Sequence, residues 1–199
     1  MNTQPTLICI PDISGFTKFM SETDIELSAT VIPSLLNKII YANDIELKVS
    51  EIEGDAVLFY RTGPLPPFKT LIEQCRKFYV EFYNQINLLR KKYSEHNDVG
   101  NIPNILGLKI ILHYGKSIGA VQIGKSIKLM GQDVIVAHRL LKNNIKRDEY
   151  LLLSENLMDN YKDKVIESNF GWGELKDDED NYKHLGDYNY SYINLEPLL

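Results

Sequence analysis

Cysteine is scarce in this chain: only Cys9 and Cys75 occur, and both sit inside apolar runs. Two such residues cannot form the bridge framework of a small secreted domain, so a reducing, cytoplasmic setting is expected. Basic charge is also short, with 22 Lys and Arg against 27 Asp and Glu and a net charge of -5. That balance argues against broad binding along the backbone of DNA or RNA. It does not exclude a nucleotide, because a metal ion can neutralise phosphates where the surface does not. No apolar run reaches the ~18 residues needed to cross a bilayer, so no membrane span is expected. Residues 1–5 lack the basic and apolar regions of a signal peptide. Repeats and linkers are missing too. One domain is expected over residues 1–199, with its core at about 6–155 and a β-rich extension at 156–199.

What remains is an ordinary globular composition, 44% apolar and 25% charged. Residues 6–13 form a short apolar run that ends at Asp12-Ile13-Ser14-Gly15, which reads as a buried strand feeding a glycine turn. Ile32, Leu35, Leu36, Ile39 and Ile40 recur at helical period. Pro33 cannot sit inside a helix without losing a hydrogen bond, so a break or fresh start is expected near residues 30–33. Residues 46–53 and 56–61 read as strands joined at Gly54-Asp55, and residues 62–67 as a loop. An amphipathic helix follows at 68–93, then a polar, turn-rich stretch at 94–104. Residues 107–114 and 118–123 read as a strand pair around Gly115, 134–141 as a short helix and 150–153 as a strand. Tyr182, Tyr188, Tyr190 and Tyr192 suggest an aromatic hairpin, and the acidic insert 177–180 a solvated loop. The order suits an α+β, ferredoxin-like sandwich: an antiparallel-rich sheet with helices on one face and a β-rich tail.

Three segments carry chemistry. Residues 10–17, Ile-Pro-Asp-Ile-Ser-Gly-Phe-Thr, place a carboxylate at the end of a buried strand, before a turn whose N–H groups can face a phosphate. Residues 51–56, Glu-Ile-Glu-Gly-Asp-Ala, put a second carboxylate at a hairpin tip. An Asp beside Gly taken alone reads as a turn residue. If the two strands are neighbours, Asp12 and Asp55 converge, and two carboxylates that close need a shared proton or a cation. Mg²⁺ favours one or two carboxylates completed by substrate phosphates. The third segment, residues 131–140, sets Arg139 on the polar side of a short helix. There it is either a solvated surface residue or a guanidinium that stabilises a transferring phosphoryl group. His113, on an apolar strand, reads as a hydrogen-bonded core histidine, and His138 as helix surface or interface.

In this order and spacing the three segments resemble the class III adenylate/guanylate cyclase homology domain. Residues 12–17 resemble its Asp-Ile-x-Gly-Phe-Thr element, Gly54-Asp55 its second metal-binding Asp and Leu112-His113-Tyr114-Gly115 its His-x-Gly strand end. Residues 131–140 are similar to its Gly-x-x-Val-Asn-x-Ala-x-Arg-Leu helix. The likeness covers residues 6–142, with an echo at 183–195, and is nearest to a small bacterial branch of the superfamily. It implies a homodimeric enzyme that converts a nucleoside triphosphate to a cyclic nucleotide and pyrophosphate. Two Mg²⁺ or Mn²⁺ ions would be held by Asp12, Asp55 and the backbone of Ile13. The backbone of Ile13, Ser14, Gly15 and Phe16, with Thr17, would cradle the phosphates. Arg139 would act on the transition state, reaching the aspartates of the partner copy.

The departures from that pattern lie at base and ribose. Ile135 stands where the family has its ribose-orienting Asn. Glu51 occupies the base-reading position in its guanine-accepting form, and Lys128 occupies the partner position. These two either line the base end of the pocket or simply pair with each other. The family's late phosphate-binding Lys has only a loose counterpart in Lys183. A binding or partner module without turnover is the alternative to an enzyme.

Overall fold

The computed structural model describes residues 3–96, 102, 105–124 and 126–199. An eight-stranded sheet runs in the order β2 (Lys48–Glu53), β3 (Ala56–Thr62), β1 (Gln4–Ser14), β4 (Gly107–Ile123), β6 (Tyr150–Ser154), β8 (Gly186–Asn194), β7 (Lys176–Tyr182), with β5 (Ser126–Met130) paired to β4 off that path. Strand β1 (Gln4–Ser14) lies in the middle, antiparallel to β3 (Ala56–Thr62) on one side and to β4 (Gly107–Ile123) on the other. Its side chains alternate between the two faces. Leu7, Cys9 and Ile13 join one apolar core, while Ile8 and Ile10 join another. Asp12 shares the parity of Ile8 and Ile10 and therefore shares their face.

The first core is covered by α1 (Phe16–Glu22), α2 (Ile25–Tyr41) and α3 (Phe68–Lys92). On α3, Leu71, Cys75, Phe78, Phe82, Ile86 and Leu89 follow the helical period and are all buried. Each such side chain removed from water contributes about 1.5–3 kcal/mol. The opposite face carries the short α4 (Gln132–Leu140), which packs Val134, Val136, Ala137 and Leu140 against Ile8, Ile10 and Ile111. The long helices thus share one face, as the sequence predicts, and the helix bearing Arg139 sits alone on the other.

Three local expectations are corrected. Pro33 does not break the chain, because α2 runs unbroken through it. Pro33 and Ala29, whose carbonyl loses its partner, are both exposed, so water replaces the missing N–H. Meanwhile Val31, Ile32, Leu35, Leu36 and Ile39 are buried on the other side and hold the helix down. Gly115 does not turn the chain either. β4 is one continuous strand whose first part pairs with β1 and β6 (Tyr150–Ser154) and whose last part pairs with β5 (Ser126–Met130). The reversal comes only after Ile123. Finally, the acidic insert is a strand, β7 (Lys176–Tyr182), laid along the tyrosine-rich β8 (Gly186–Asn194). Asp180 is 5% exposed, accepting from the Tyr190 hydroxyl at 2.9 Å and from the Asn144 N–H at 3.3 Å. Those bonds make its burial tolerable. The polar stretch 94–104 lies largely outside the described residues.

Candidate active site

β2 (Lys48–Glu53) and β3 meet in a two-residue turn, Gly54-Asp55, where Gly54 takes φ 59. A side chain in that left-handed conformation would be strained, so glycine suits the position. The backbone N–H of Ile13 donates to the Asp55 carbonyl at 2.9 Å, and Asp12 lies opposite Ala56 in the same ladder. The hairpin tip is thereby fastened to the end of β1, and Asp12 and Asp55 come within reach of each other's charge. Burial pushes the Asp12 carboxyl up to about 6, nearby Lys109 opposes the rise, and the charge on Asp55 adds to it. Burial also raises Asp55, against its own backbone N–H and Lys109, which lower it.

Lys109 faces Asp12 directly across the β1–β4 ladder. Its Nζ lies 3.7 Å from Asp12 Oδ2 and donates to the Leu141 carbonyl at 3.4 Å. The side chains of Lys109 and Asp12 are 21% and 13% exposed.

The start of α4 is anchored through the core. His113 is fully buried, with Nδ1 2.9 Å from Ser154 Oγ and Nε2 3.4 Å from Asp133 Oδ1. That second contact is the main reason the Asp133 carboxyl lies below its usual range. His113 is thus the hydrogen-bonded core histidine the sequence predicts. With four residues of α4 buried, Ile135 and Arg139 face outward. A cleft of about 530 Å³ opens there, lined by Asp12, Glu53, Lys109, Ile135, His138 and Arg139 among others. Arg139 and Asp12 of one chain therefore share a cleft.

At the end of β1, Gly15 takes φ 78, and a Cβ there would stand 1.9 Å from the Ile105 carbonyl oxygen. Only glycine fits. Phe16 and Thr17 open α1, whose first-turn N–H groups have no partner within the helix. The Ser14 hydroxyl donates to the Asp148 carbonyl at 2.5 Å, which fixes the end of β1 to the loop before β6. Glu51 and Lys128 form an ion pair within one chain, bringing β2 and β5 together. His138 Nδ1 lies 3.6 Å from Glu53 Oε2, and Glu51, Glu53 and His138 offer ligand atoms within 4.8 Å of one another. Lys183 sits in the exposed turn between β7 and β8. A separate hollow of about 500 Å³ lies against that hairpin, lined by Glu155, Asp177, Asp178 and Glu179 among others. Its charged side chains are all acidic, unlike those of the cleft at Asp12.

Residues 32–150, more than half of the chain, match the model of a family described as a protein of unknown function, DUF2652. The chain belongs to the DUF2652 family. A relative from Mycobacterium tuberculosis, the uncharacterized protein Rv2561/Rv2562, is 28% identical over 122 residues. That match takes in 55% of this DUF2652 chain and 50% of the relative, so the chain spans about half the length of the curated relative it matches. Among solved structures, the guanylyl cyclase Cya2 superposes with a TM-score of 0.66 over 96% of this chain and 91% of its own, at 15% identity. The adenylyl cyclase CyaB from P. aeruginosa gives 0.60 over 97% and 95%, also at 15% identity. The guanylate cyclase domain of RhGC from Catenaria anguillulae, solved with GTP, gives 0.63 over 96% and 97% at 15% identity. The DUF2652 chain therefore has the α+β fold of the adenylyl and guanylyl cyclase domains. Among its described residues, no helix is long and apolar enough to cross a membrane.

Among the charged cleft residues, Lys109, Glu53 and Lys142 escape sequence reasoning. Lys109 leaves a trace, being the one charged residue in the apolar run 107–114. A lone lysine in a buried strand needs a partner. Glu53 leaves none beyond its alternation with Glu51.

Proposed function

We propose that this chain is a metal-dependent nucleotidyl cyclase. It would convert a nucleoside triphosphate to a 3′,5′-cyclic nucleotide and pyrophosphate at the interface of a homodimer. The observation that carries this reading is the convergence of Asp12 and Asp55, both reluctant to ionise, beside a cleft that also holds Arg139. The residues fit a hard divalent cation, since two carboxylates raised by burial, Asp12 also by the charge on Asp55, gain most from one. Asp12, Asp55 and the backbone carbonyl of Ile13 would hold Mg²⁺ or Mn²⁺. Such a cation, when bound, lowers the pKa of a ribose 3′-hydroxyl and neutralises the triphosphate.

The remaining roles fall to the chain itself. Arg139 stabilises charge on the α-phosphoryl group as the 3′-oxygen attacks and pyrophosphate leaves. The backbone at residues 13–16 and the first turn of α1 with Thr17 receive the phosphates. Glu51 and Lys128 stand at the base end, where Glu51 can accept from the amino group and ring N–H of guanine once Lys128 yields it. Ile127, Met130 and Ile135 are each about half exposed, 55%, 49% and 53%, and apolar side chains left in water support pairing of two copies. A cytoplasmic setting suits the two buried, free thiols of Cys9 and Cys75. The whole of residues 1–199 forms one cyclase-like domain in this reading.

The deciding test incubates purified protein with each of the four triphosphates and Mn²⁺, and seeks cyclic product by mass spectrometry. Product from any of them supports the reading. None, from a folded dimer, overturns it.

Ile135 favours a second reading, a nucleotide-binding module without turnover, because it puts an apolar side chain into the cleft. A thermal shift with triphosphate and Mn²⁺ but no product would select it. Binding at a hundredfold excess over Kd stabilises by about 2.7 kcal/mol.

A further inference from the structure

We infer that Lys109 is a built-in cation that takes the place of one metal ion, so that each chain holds a single divalent cation at Asp12 and Asp55. The inference rests on the metal-site reading given above and goes beyond it.

Its basis is position. Lys109 and Asp12 are direct partners across the central β1–β4 ladder, so the backbone itself delivers the ammonium to the carboxylate. Nζ stands 3.7 Å from Asp12 Oδ2 and is held from the other side by the Leu141 carbonyl at the end of α4. Both side chains are largely shielded from water, where a charge without a partner is costly.

Charge balance then limits what else can enter. Between them, Asp12, Asp55 and Lys109 carry a single negative charge. One divalent cation reverses it, leaving a site that attracts a triphosphate. A second divalent cation would have to sit beside an ammonium already paired with the same carboxylate, and like charges at such range repel strongly. With a triphosphate bound, Lys109 would meet its oxygens as a point charge, and Asp12 and Asp55 would hold the one ion.

The experiment counts Mn²⁺ bound to the full chain at pH 8 from the loss of the free-ion electron paramagnetic resonance signal. Glu53→Gln with His138→Ala forms the background, to silence the nearby carboxylate–histidine cluster. We expect one ion per chain in that background, none after Asp12→Asn is added, and two when Lys109→Met is added instead. Two ions with Lys109 intact would overturn the inference and leave the metal reading standing. One ion both with and without Lys109 would also overturn it. No binding, or binding indifferent to Asp12→Asn, would overturn the metal reading and the inference together. If Lys109→Met fails to fold, Lys109→Gln and the count with Lys109 present decide.

Discussion

The backbone N–H of Ile13 donates to the carbonyl of Asp55 at 2.9 Å, and this bond sets where the second carboxylate of the site stands. It joins the end of a central strand to the tip of a hairpin more than forty positions later. Because it uses only main-chain atoms, it does not depend on the Asp55 side chain.

Asp55→Ala should therefore abolish cyclic product while leaving the fold intact. Burial raises the Asp55 carboxyl, so removing it sheds an unfavourable charge instead of a supporting contact. A fall of at least about a hundredfold in turnover is expected, the scale of losing one charge-stabilising group. Product quantified by mass spectrometry, beside a urea midpoint no lower than that of the parent, would bear this out. A lower midpoint would give Asp55 a structural role.

The metal-free protein should lose stability as pH rises through the range in which Asp12 ionises. Its carboxyl moves from an ordinary 3.8 to about 6 on folding, so between these values the native state holds a proton that the unfolded chain has released. Stability is then fully present below 3.8 and falls by about 3 kcal/mol as pH passes above 6. Asp12→Asn carries no such penalty, so its advantage over the parent should grow between pH 4 and pH 8. Urea unfolding in EDTA at both values measures the difference, and excess Mn²⁺ should shrink it. An advantage that did not change with pH would mean that Asp12 ionises normally in the fold.

Arg139→Ala should lower turnover by about two to three orders of magnitude at nearly unchanged stability. The side chain is exposed on α4, where substitutions usually fall within about 0.5 kcal/mol. Arg139→Lys should recover only part of the loss, since a lysine cannot reproduce the planar fork of a guanidinium. Steady-state rates of the two variants decide the point. Parental turnover in both would take Arg139 out of the chemistry.

Gly15→Ala should destabilise the chain by about 2 kcal/mol or more. The new methyl would overlap the Ile105 carbonyl oxygen, and φ 78 adds backbone strain of its own. The same shift would displace the turn that follows Asp12, so triphosphate binding should weaken together with the urea midpoint. A stable Gly15→Ala chain with parental binding would show that the turn can relax around a side chain.

Asp180→Ala tests the strand that replaces the expected acidic loop. It leaves the buried Tyr190 hydroxyl without its partner and should cost about 1–3 kcal/mol. Asp178, two positions earlier on the same strand, is exposed and should tolerate alanine. Equal midpoints for the two variants would place Asp180 in solvent after all.

The sequence by itself determined the local elements whose cause is local. An apolar run locates β1, helical periods locate α2 and α3, and Gly54-Asp55 marks its turn because φ 59 is a glycine conformation. It also marked both carboxylates, each in a glycine-containing turn, and Arg139, on the polar side of a short helix. What only the tertiary structure decided is everything that depends on a neighbour distant in sequence. Pro33 stays helical because the far side of α2 is buried, and Gly115 stays extended because β1, β5 and β6 pair along β4. Asp180 goes inside because Tyr190 and Asn144 meet it there. Lys109 becomes the counter-charge of Asp12 only when β4 is laid against β1 in this register. A one-residue slip would turn its side chain to the opposite face, and the pattern of the strand taken alone does not choose between the two.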